Sequence, residues 1–353
     1  MKMAIAAFIF SFLISFSTTP LVIKLAKKLK LVDNPEKRKH PAHTHKGIIP
    51  RGGGLSLYLG IAIVSLSFLS INKVLLGILL GGGLTTLIGL RDDKKDISPY
   101  SRFFMNFLVA GLAVAAGVGI PYITNPFNGI ILLDTWQISF SFFGLHTILV
   151  WADVFALVWI VWTMNIIGWS GGVDGQMPGF VAIAAAVLGI LSLRFSAHDI
   201  SQQTITILCF ITAGSFLGFL PFNFYPQKIM PGYGGKTLAG FMLASLSILS
   251  WGKVGTALLV LGLPMIDAGY IFLRRIAQGH SPVWGDKNHL HHRLLEIGWG
   301  RRRIAVFYWF ISALLGIIAL FLNSQQKLFA LILLAVFIGG FILWLNFLKL
   351  MRR

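Results

Sequence analysis

Long apolar blocks, separated by short polar or basic segments, follow one another along the whole chain. A helix needs about 20 mostly apolar residues to cross a bilayer, and eleven blocks approach that length. The predicted spans are residues 3–23, 52–71, 73–90, 102–120, 145–167, 179–196, 203–220, 236–251, 254–273, 304–322 and 327–348. Short strands of alternating polarity, which β-sandwiches and membrane β-barrels require, do not occur. We therefore expect an all-α, polytopic membrane protein that forms one domain over residues 1–353.

The first block resembles a signal peptide, because Lys2 precedes an apolar run that ends at Ile23. A cleavage site of small residues does not follow, and a strongly basic stretch begins at Lys24. We interpret this block as a retained first span. Small residues inside the spans, such as Gly81 to Gly83 and the sole cysteine Cys209, are interpreted as packing positions.

Basic residues fall almost entirely in one set of alternate loops. Of the 30 Lys and Arg residues, 25 lie in segments 24–51, 91–102, 221–236, 274–303 and 349–353. Because positive charge marks the cytoplasmic side, the N-terminus should face outward and the C-terminus the cytoplasm. We attribute most of the net charge of +18 to the basic cytoplasmic loops and their attraction to anionic lipid headgroups, and the remainder to contacts with a phosphate group of a substrate. We therefore expect no nucleic-acid partner.

Two aspartates lie within predicted spans, where an ionisable group is costly and suggests function. For Asp267 we favour a role in the site or in its support. For Asp153, which lies nearer the outer side, we favour a structural hydrogen bond.

Two cytoplasmic loops combine basic and acidic groups. Residues 33–54 carry three histidines and end in Arg51 followed by three glycines, which fits either a substrate contact or a headgroup patch. Residues 89–99 place Asp92 and Asp93 beside lysines such as Lys95. Adjacent carboxylates can hold Mg²⁺ or act as a general base, although a charge cluster at a helix end is the simpler alternative.

Two further loops are rich in glycine. Residues 163–179 contain Asn165 and Asp174 but no basic residue, and the glycines fit a ligand-binding turn or a plain one. Residues 221–240 lead through Gly232, Gly234 and Gly235 to Lys236 at the start of the eighth span, where backbone amides favour an anion.

The fifth loop, residues 274–303, is the most distinctive. It contains His289, His291, His292 and Arg293 within five positions. Such a cluster could grip a diphosphate through hydrogen bonds, bind a metal, or form a solvated basic loop. We favour the anion grip, because no carboxylate or cysteine stands at the spacing of a zinc-protease site.

Taken together, the loops resemble the polyprenyl-phosphate N-acetylhexosamine-1-phosphate transferases (glycosyltransferase family 4). The resemblance covers nearly the whole chain and is carried by DNPEKRKH, PRGGG, GLRDDKKDISP, LPMIDAGYIFLRR and GDKNHLHHRLLEIG. The HLHH form is closer to the GlcNAc-1-phosphate branch than to the phospho-MurNAc-pentapeptide branch.

The resemblance implies a bacterial plasma-membrane enzyme of cell-wall or surface-glycan synthesis. A membrane polyprenyl phosphate would attack the β-phosphorus of a UDP-amino sugar, giving a polyprenyl-diphospho-sugar and UMP. It also implies Mg²⁺ as cofactor and a homodimer, since such relatives tend to dimerise.

Roles carry over position by position. Asp92, Asp93 and Asp174 would be catalytic, and together with Asn165 would hold the metal. Substrate contacts would come from Arg51, Lys95, Asn165, Lys236, Asp267, His289, His291, His292 and Arg293.

The chain departs from the family pattern at two places. The family loop NAxNxxDGxDG has Gly168 for its second Asn and Gly171 for its first Asp, and Tyr233 stands where the family has a Mg²⁺-binding Asp. Three alternatives remain open: the metal is held by Asp92, Asp93 or Asp174 with substrate phosphates, Lys236 supplies the missing charge, or the transferase chemistry is lost.

A non-catalytic protein that binds lipid-linked sugars is therefore the alternative function. A transporter would require inverted repeats or paired broken helices, and the sequence shows no clear repeat.

Overall fold

The structure is a computed structural model that describes residues 1–36, 47–125, 129–141, 145–194, 200–250, 254–281 and 288–351. The histidines of the first loop (His40, His43 and His45) and Asp286 of the fifth loop lie outside the described residues.

Helices account for most of the described chain. They are α1 (Lys2–Lys28), α2 (Gly54–Phe68), α3 (Lys73–Lys95), α4 (Pro99–Ala115), α5 (Val150–Ser170), α6 (Gln176–Leu193), α7 (Ile200–Asn223), α8 (Gly232–Leu249), α9 (Val254–Val260), α10 (Gly262–Ala277), α11 (Leu290–Glu296), α12 (Arg301–Phe321) and α13 (Ser324–Met351).

The helices follow the predicted spans in order. Among the described residues, seven helices are long and apolar enough to cross a membrane, and α9 with α10 raises this to eight if the bent pair is one span. The fold is thus that of a mainly helical protein with several membrane-spanning candidates. The shorter helix α2 is also apolar.

Three sequence boundaries were wrong. Residues 145–149 form a strand, so the fifth predicted span begins at Val150. The third loop is shorter than expected because α5 continues to Ser170, which leaves Asn165 inside a helix. The ninth predicted span is two helices that meet at 85°.

Short strands were not predicted at all. They are β1 (Val32–Asp33), β2 (Ile49–Pro50), β3 (Tyr122–Thr124), β4 (Ile130–Leu132), β5 (Gln137–Ser141) and β6 (Leu145–Leu149). They pair antiparallel as β1–β2, β3–β4 and β5–β6, and the last two pairs fill the connection between α4 and α5.

Burial separates a central helix from peripheral ones. Nearly every residue of α8 is buried, and it packs against α3 and α5. In contrast, α1 and α13 expose large apolar side chains such as Phe10, Phe329 and Phe337. An apolar exterior of this kind suits a lipid environment better than water.

The turn between α3 and α4 follows from local sequence. Helix α3 ends where Asp96 adopts a left-handed conformation (φ 47°), which Asp tolerates better than most residues. Ser98 then caps α4 by accepting a hydrogen bond from the Ser101 amide (3.2 Å), and Pro99 occupies the first turn. This turn places the end of α3 beside the start of α4.

Candidate active site

The acidic pair lies buried in the last turns of α3. The Arg51 guanidinium contacts the Asp93 Oδ1 atom at 2.8 Å and the Asp92 Oδ2 atom at 3.8 Å. From α4, the Arg102 Nε atom donates to the Asp92 Oδ1 atom at 2.6 Å. Two guanidiniums therefore already balance the two carboxylates.

Arg51 is held firmly in this position. Its amide donates to the Leu31 carbonyl (2.8 Å), beside the short β1–β2 pair. Burial alone would lower the pKa of Arg51, but the nearby carboxylates, Asp93 above all, hold this pKa above its ordinary value. Arg51 therefore carries a permanent positive charge at the site.

The start of α8 meets the acidic pair through its backbone. The Tyr233 amide donates to the Asp93 Oδ1 atom at 3.1 Å. Gly232 has a positive φ (69°), and a Cβ atom there would overlap the Asp93 carboxylate. This close approach requires glycine on both counts.

The phenol of Tyr233 is directed toward α4. It donates to the Asn106 Oδ1 atom at 3.1 Å, and the Arg102 guanidinium lies 5.3 Å from its ring centroid. A phenol keeps its proton near neutral pH and is a poor ligand for Mg²⁺.

Lys236 connects the acidic pair to the histidine segment. It is partly exposed, and it lies close enough to Asp93, Arg51 and His291 for its charge to act on all three. Its Cε atom lies 3.2 Å from the position that a Cβ atom of Gly171 would take.

The shortened third loop contributes mainly backbone. A side chain at Gly172 would overlap the His291 imidazole, so the loop and the histidine segment are in direct contact. Asp174 is buried, with its Oδ2 atom 3.6 Å from the Arg301 guanidinium. The Asn165 Nδ2 atom donates to the Val161 carbonyl of its own helix at 2.7 Å.

The histidine segment is fixed by Asp267 of α10. The Asp267 carboxylate contacts the His289 Nδ1 atom (2.9 Å) and accepts from the Leu290 amide (2.8 Å) at the start of α11. The rings of His289 and His291 stack at 5.7 Å, and the ring of His292 follows at 4.3 Å from that of His291. Asp267 therefore fixes the start of α11, and its predicted role in the site stays a prediction.

His291 is neutral in this environment. Burial, with help from the neighbouring charges of His292, His289 and Lys236, lowers its pKa well below the ordinary value of 6.5. Its Nδ1 atom is buried without a hydrogen-bond partner in the described structure. Neutral His291 can offer a substrate one donor and one acceptor.

Two predicted site residues are placed differently. Lys95 is exposed at the end of α3. Arg293 is buried, donates to the Asn288 and Ile342 carbonyls (2.6 and 3.3 Å), and lies over the Tyr270 ring. These contacts give Arg293 a clear structural role.

The sequence interpretation missed several partners of the site. Arg102 was counted only as a loop charge, and Asn106 and Arg301 were not considered. A basic residue ten positions after an aspartate pair, across a predicted turn, was the available signal for Arg102. As predicted, Asp153 makes a structural hydrogen bond, since its Oδ2 atom accepts from the Leu149 amide at 3.0 Å.

These residues do not fit the implied Mg²⁺ site. In the described part of the chain, no group of three or more His, Cys, Asp or Glu side chains is placed to hold a metal ion. The carboxylates of Asp92, Asp93 and Asp174 lie against guanidiniums, and the Tyr233 phenol faces Asn106. Mg²⁺ prefers carboxylate oxygens that are open to it, usually with substrate phosphates.

Apolar helices around a buried charged site, which presents Arg51, Lys236 and His291, define a helical membrane protein suited to an anionic substrate. Residues 75–251 match the model of Glycosyl transferase family 4. The chain therefore belongs to glycosyl transferase family 4, and the resemblance seen in the loops is confirmed.

Similar curated proteins extend the match over nearly the whole chain. A probable undecaprenyl-phosphate N-acetylglucosaminyl 1-phosphate transferase of Bacillus subtilis is 29% identical, covering 94% of this chain and 89% of its own. A decaprenyl-phosphate N-acetylglucosaminephosphotransferase of Mycobacterium leprae is 30% identical, covering 93% and 86%. An undecaprenyl-phosphate alpha-N-acetylglucosaminyl 1-phosphate transferase of Yersinia pestis is 28% identical, covering 95% and 89%.

Proposed function

We propose that the protein transfers N-acetylglucosamine 1-phosphate from a UDP-sugar to a membrane polyprenyl phosphate. The observation that carries this proposal is the convergence of Asp93, Arg51, Lys236 and His291, from four separate loops, in one buried site. Two reacting anions repel each other, and fixed positive charges at the meeting point offset that repulsion. The similar proteins named above support the choice of sugar and lipid.

The acidic pair fits a role in placing the acceptor. Asp92 and Asp93 hold the guanidiniums of Arg102 and Arg51 in fixed positions, where part of their N–H groups can bind phosphate oxygens. His291, stacked on His289 and within reach of the Lys236 charge, suits the donor diphosphate.

The membrane arrangement belongs to the same proposal. Eleven spans in the plasma membrane of a bacterium, with the N-terminus outside, would place the charged loops in the cytoplasm. The charge asymmetry of the loops supports this orientation. A polyprenyl phosphate headgroup lies at that interface and can reach the site.

The test is transfer by the purified protein in detergent. We expect radiolabelled UDP-GlcNAc and undecaprenyl phosphate to give a lipid-linked product, and Asp93→Asn to reduce its rate at least about 100-fold. Asp134→Asn, the same change at the β-hairpins, is the matched control and should keep the wild-type rate. Binding of both substrates without any product, with every UDP-amino sugar tried, would instead favour the non-catalytic alternative.

A further inference from the structure

A third cationic side chain stands beside the acidic pair, at the start of α8. The guanidiniums of Arg51 and Arg102 pair with Asp93 and Asp92, and the charge of Lys236 acts on the same group. The carboxylates of Asp33 and Asp96 lie within electrostatic reach of these cations as well, so the group holds charges of both signs. The protein thus places a cation of its own here in addition to the two paired guanidiniums.

Lys236 is held where it is by close backbone packing. A Cβ atom at Gly54 would overlap the Gly235 backbone, and one at Gly89 would overlap Gly234, so α8 lies directly against α2 and α3. This packing fixes the first turns of α8 and directs Lys236 toward the third loop.

The two departures from the family pattern fit this lysine. At Gly171, where the family has an aspartate, even a Cβ atom would lie 3.2 Å from the Lys236 Cε atom, so a larger side chain would compete for the space. At Tyr233, where the family has another aspartate, the phenol is bonded to Asn106 and offers no negative charge. The chain thus lacks both aspartates of the family pattern and carries the ammonium of Lys236.

We propose that the ammonium of Lys236 neutralises the substrate diphosphate in place of a divalent cation, so that transfer proceeds without Mg²⁺. This inference rests on the proposed function. An ammonium has three N–H donors and can contact oxygens on both phosphates. The partial exposure of Lys236 leaves it accessible to a ligand.

The transfer step balances without a metal or an added proton. An oxygen of the polyprenyl phosphate forms a bond to the β-phosphorus of the UDP-sugar. The bond from that phosphorus to the oxygen shared with the α-phosphorus breaks, and its electron pair leaves with UMP. Lys236 keeps its protons throughout and stabilises the charge that develops on the leaving oxygen.

The first experiment compares turnover of the wild-type protein in EDTA and in Mg²⁺. We expect the two rates to agree within about twofold, whereas removing a needed charge stabiliser costs about 100-fold or more. Loss of turnover in EDTA that Mg²⁺ restores would overturn the inference and leave the proposed function intact. No turnover under either condition would count against the proposed function itself.

The second experiment tests the lysine. Lys236→Met should lower turnover in EDTA about 100-fold and weaken UDP-GlcNAc binding, measured by calorimetry in EDTA, at least about tenfold, while Lys236→Arg keeps most of both. Lys73→Met is the matched control, because Lys73 is exposed at the start of α3, whereas Asp92 and Asp93 lie near the other end of that helix. Wild-type turnover and binding in Lys236→Met would overturn the inference.

A double variant should make turnover depend on Mg²⁺. In Tyr233→Asp/Lys236→Met, a carboxylate returns at position 233 and the ammonium is removed. We expect its turnover to rise at least about tenfold on adding Mg²⁺, unlike that of the wild-type protein. A double variant with turnover in EDTA equal to that of the wild type would contradict the role of Lys236.

Discussion

Asp267 binds both the side chain of His289 and the backbone amide of Leu290. One buried carboxylate therefore sets the position of α11 and the orientation of its first imidazole. A carboxylate on Nδ1 favours the tautomer in which Nδ1 carries the proton and Nε2 is free to accept. Because the rings of His289 and His291 stack, the orientation of the first imidazole also restricts that of the second.

Replacing this carboxylate by an amide should separate positioning from folding. In Asp267→Asn the Leu290 amide keeps an acceptor, but the amide nitrogen of the new side chain favours the other tautomer of His289. We expect turnover to fall about 10- to 100-fold with a near-normal melting temperature. Nitrogen NMR shifts of His289 should report the tautomer change; an unchanged tautomer and rate would contradict the positioning role.

The depressed pKa of His291 makes folding depend on pH. Below the ordinary value of 6.5 the unfolded chain binds a proton that folded, buried His291 resists, so stability is complete above that pH and falls as pH decreases. The slope should approach about 1.4 kcal/mol per pH unit. Melting curves of His291→Gln should lack this component, whereas those of exposed His280→Gln should retain it; equal curves for the two variants would refute the assignment.

At the scale of elements, small residues decide how closely the helices approach. Glycines of α3 contact large side chains, as at Gly81 beside Phe241, which confirms the packing interpretation of that triplet. A Cβ atom at Gly240 of α8 would overlap the backbone of Met164 in α5. Such contacts explain why a central helix of the site carries so few bulky residues at its crossings.

Gly240→Ala should therefore destabilise the protein, by about 1–3 kcal/mol, because the added methyl group forces two backbones apart. Gly111→Ala is the matched control, since no atom lies within 4 Å of a Cβ atom at that position in α4. The control should be neutral or slightly stabilising, because alanine favours a helix. Similar melting temperatures for both variants would disprove the close-packing account.

Sequence analysis predicted the helices correctly where a long apolar segment is sufficient evidence for a helix. It failed where the chain changes direction. The predicted spans correspond to helices. The strands β3 to β5 lie before residue 145, where no span was predicted, and each has only three to five residues; β6 (Leu145–Leu149) is mostly apolar and was included in the span that begins at residue 145. Likewise, hydropathy does not distinguish α9 and α10 from one straight span, because the 85° bend at the junction changes no composition.

At the scale of the whole molecule, the distribution of charge predicts the orientation of the chain in the membrane. Sequence reasoning named Arg51, Asp93, Lys236 and His291 because they lie in motifs of the cytoplasmic loops, and their roles in a site stay predictions. It missed Arg102 because an ion pair to Asp92 depends on how α4 returns beside α3. It also placed Asn165 in a loop, since glycines near the end of α5 resemble a turn until helical contacts are known.

The orientation of the chain in the membrane can be measured by labelling a cysteine at either end of α3. Lys73 and Lys95 are both exposed, and the proposed topology places the first outside and the second in the cytoplasm. In intact cells an impermeant maleimide should label Lys73→Cys, and label Lys95→Cys only after lysis. The wild-type protein is the blank, because its sole cysteine, Cys209, is buried. The reverse labelling pattern would invert the topology.

The central claim is that a sugar phosphate, not a sugar alone, moves to the lipid. The most direct test is to identify the nucleotide released when purified protein acts on UDP-GlcNAc and undecaprenyl phosphate. Attack at the β-phosphorus predicts UMP in equal amount to the lipid-linked product. Release of UDP, or release of no nucleotide while both substrates bind, would contradict the account.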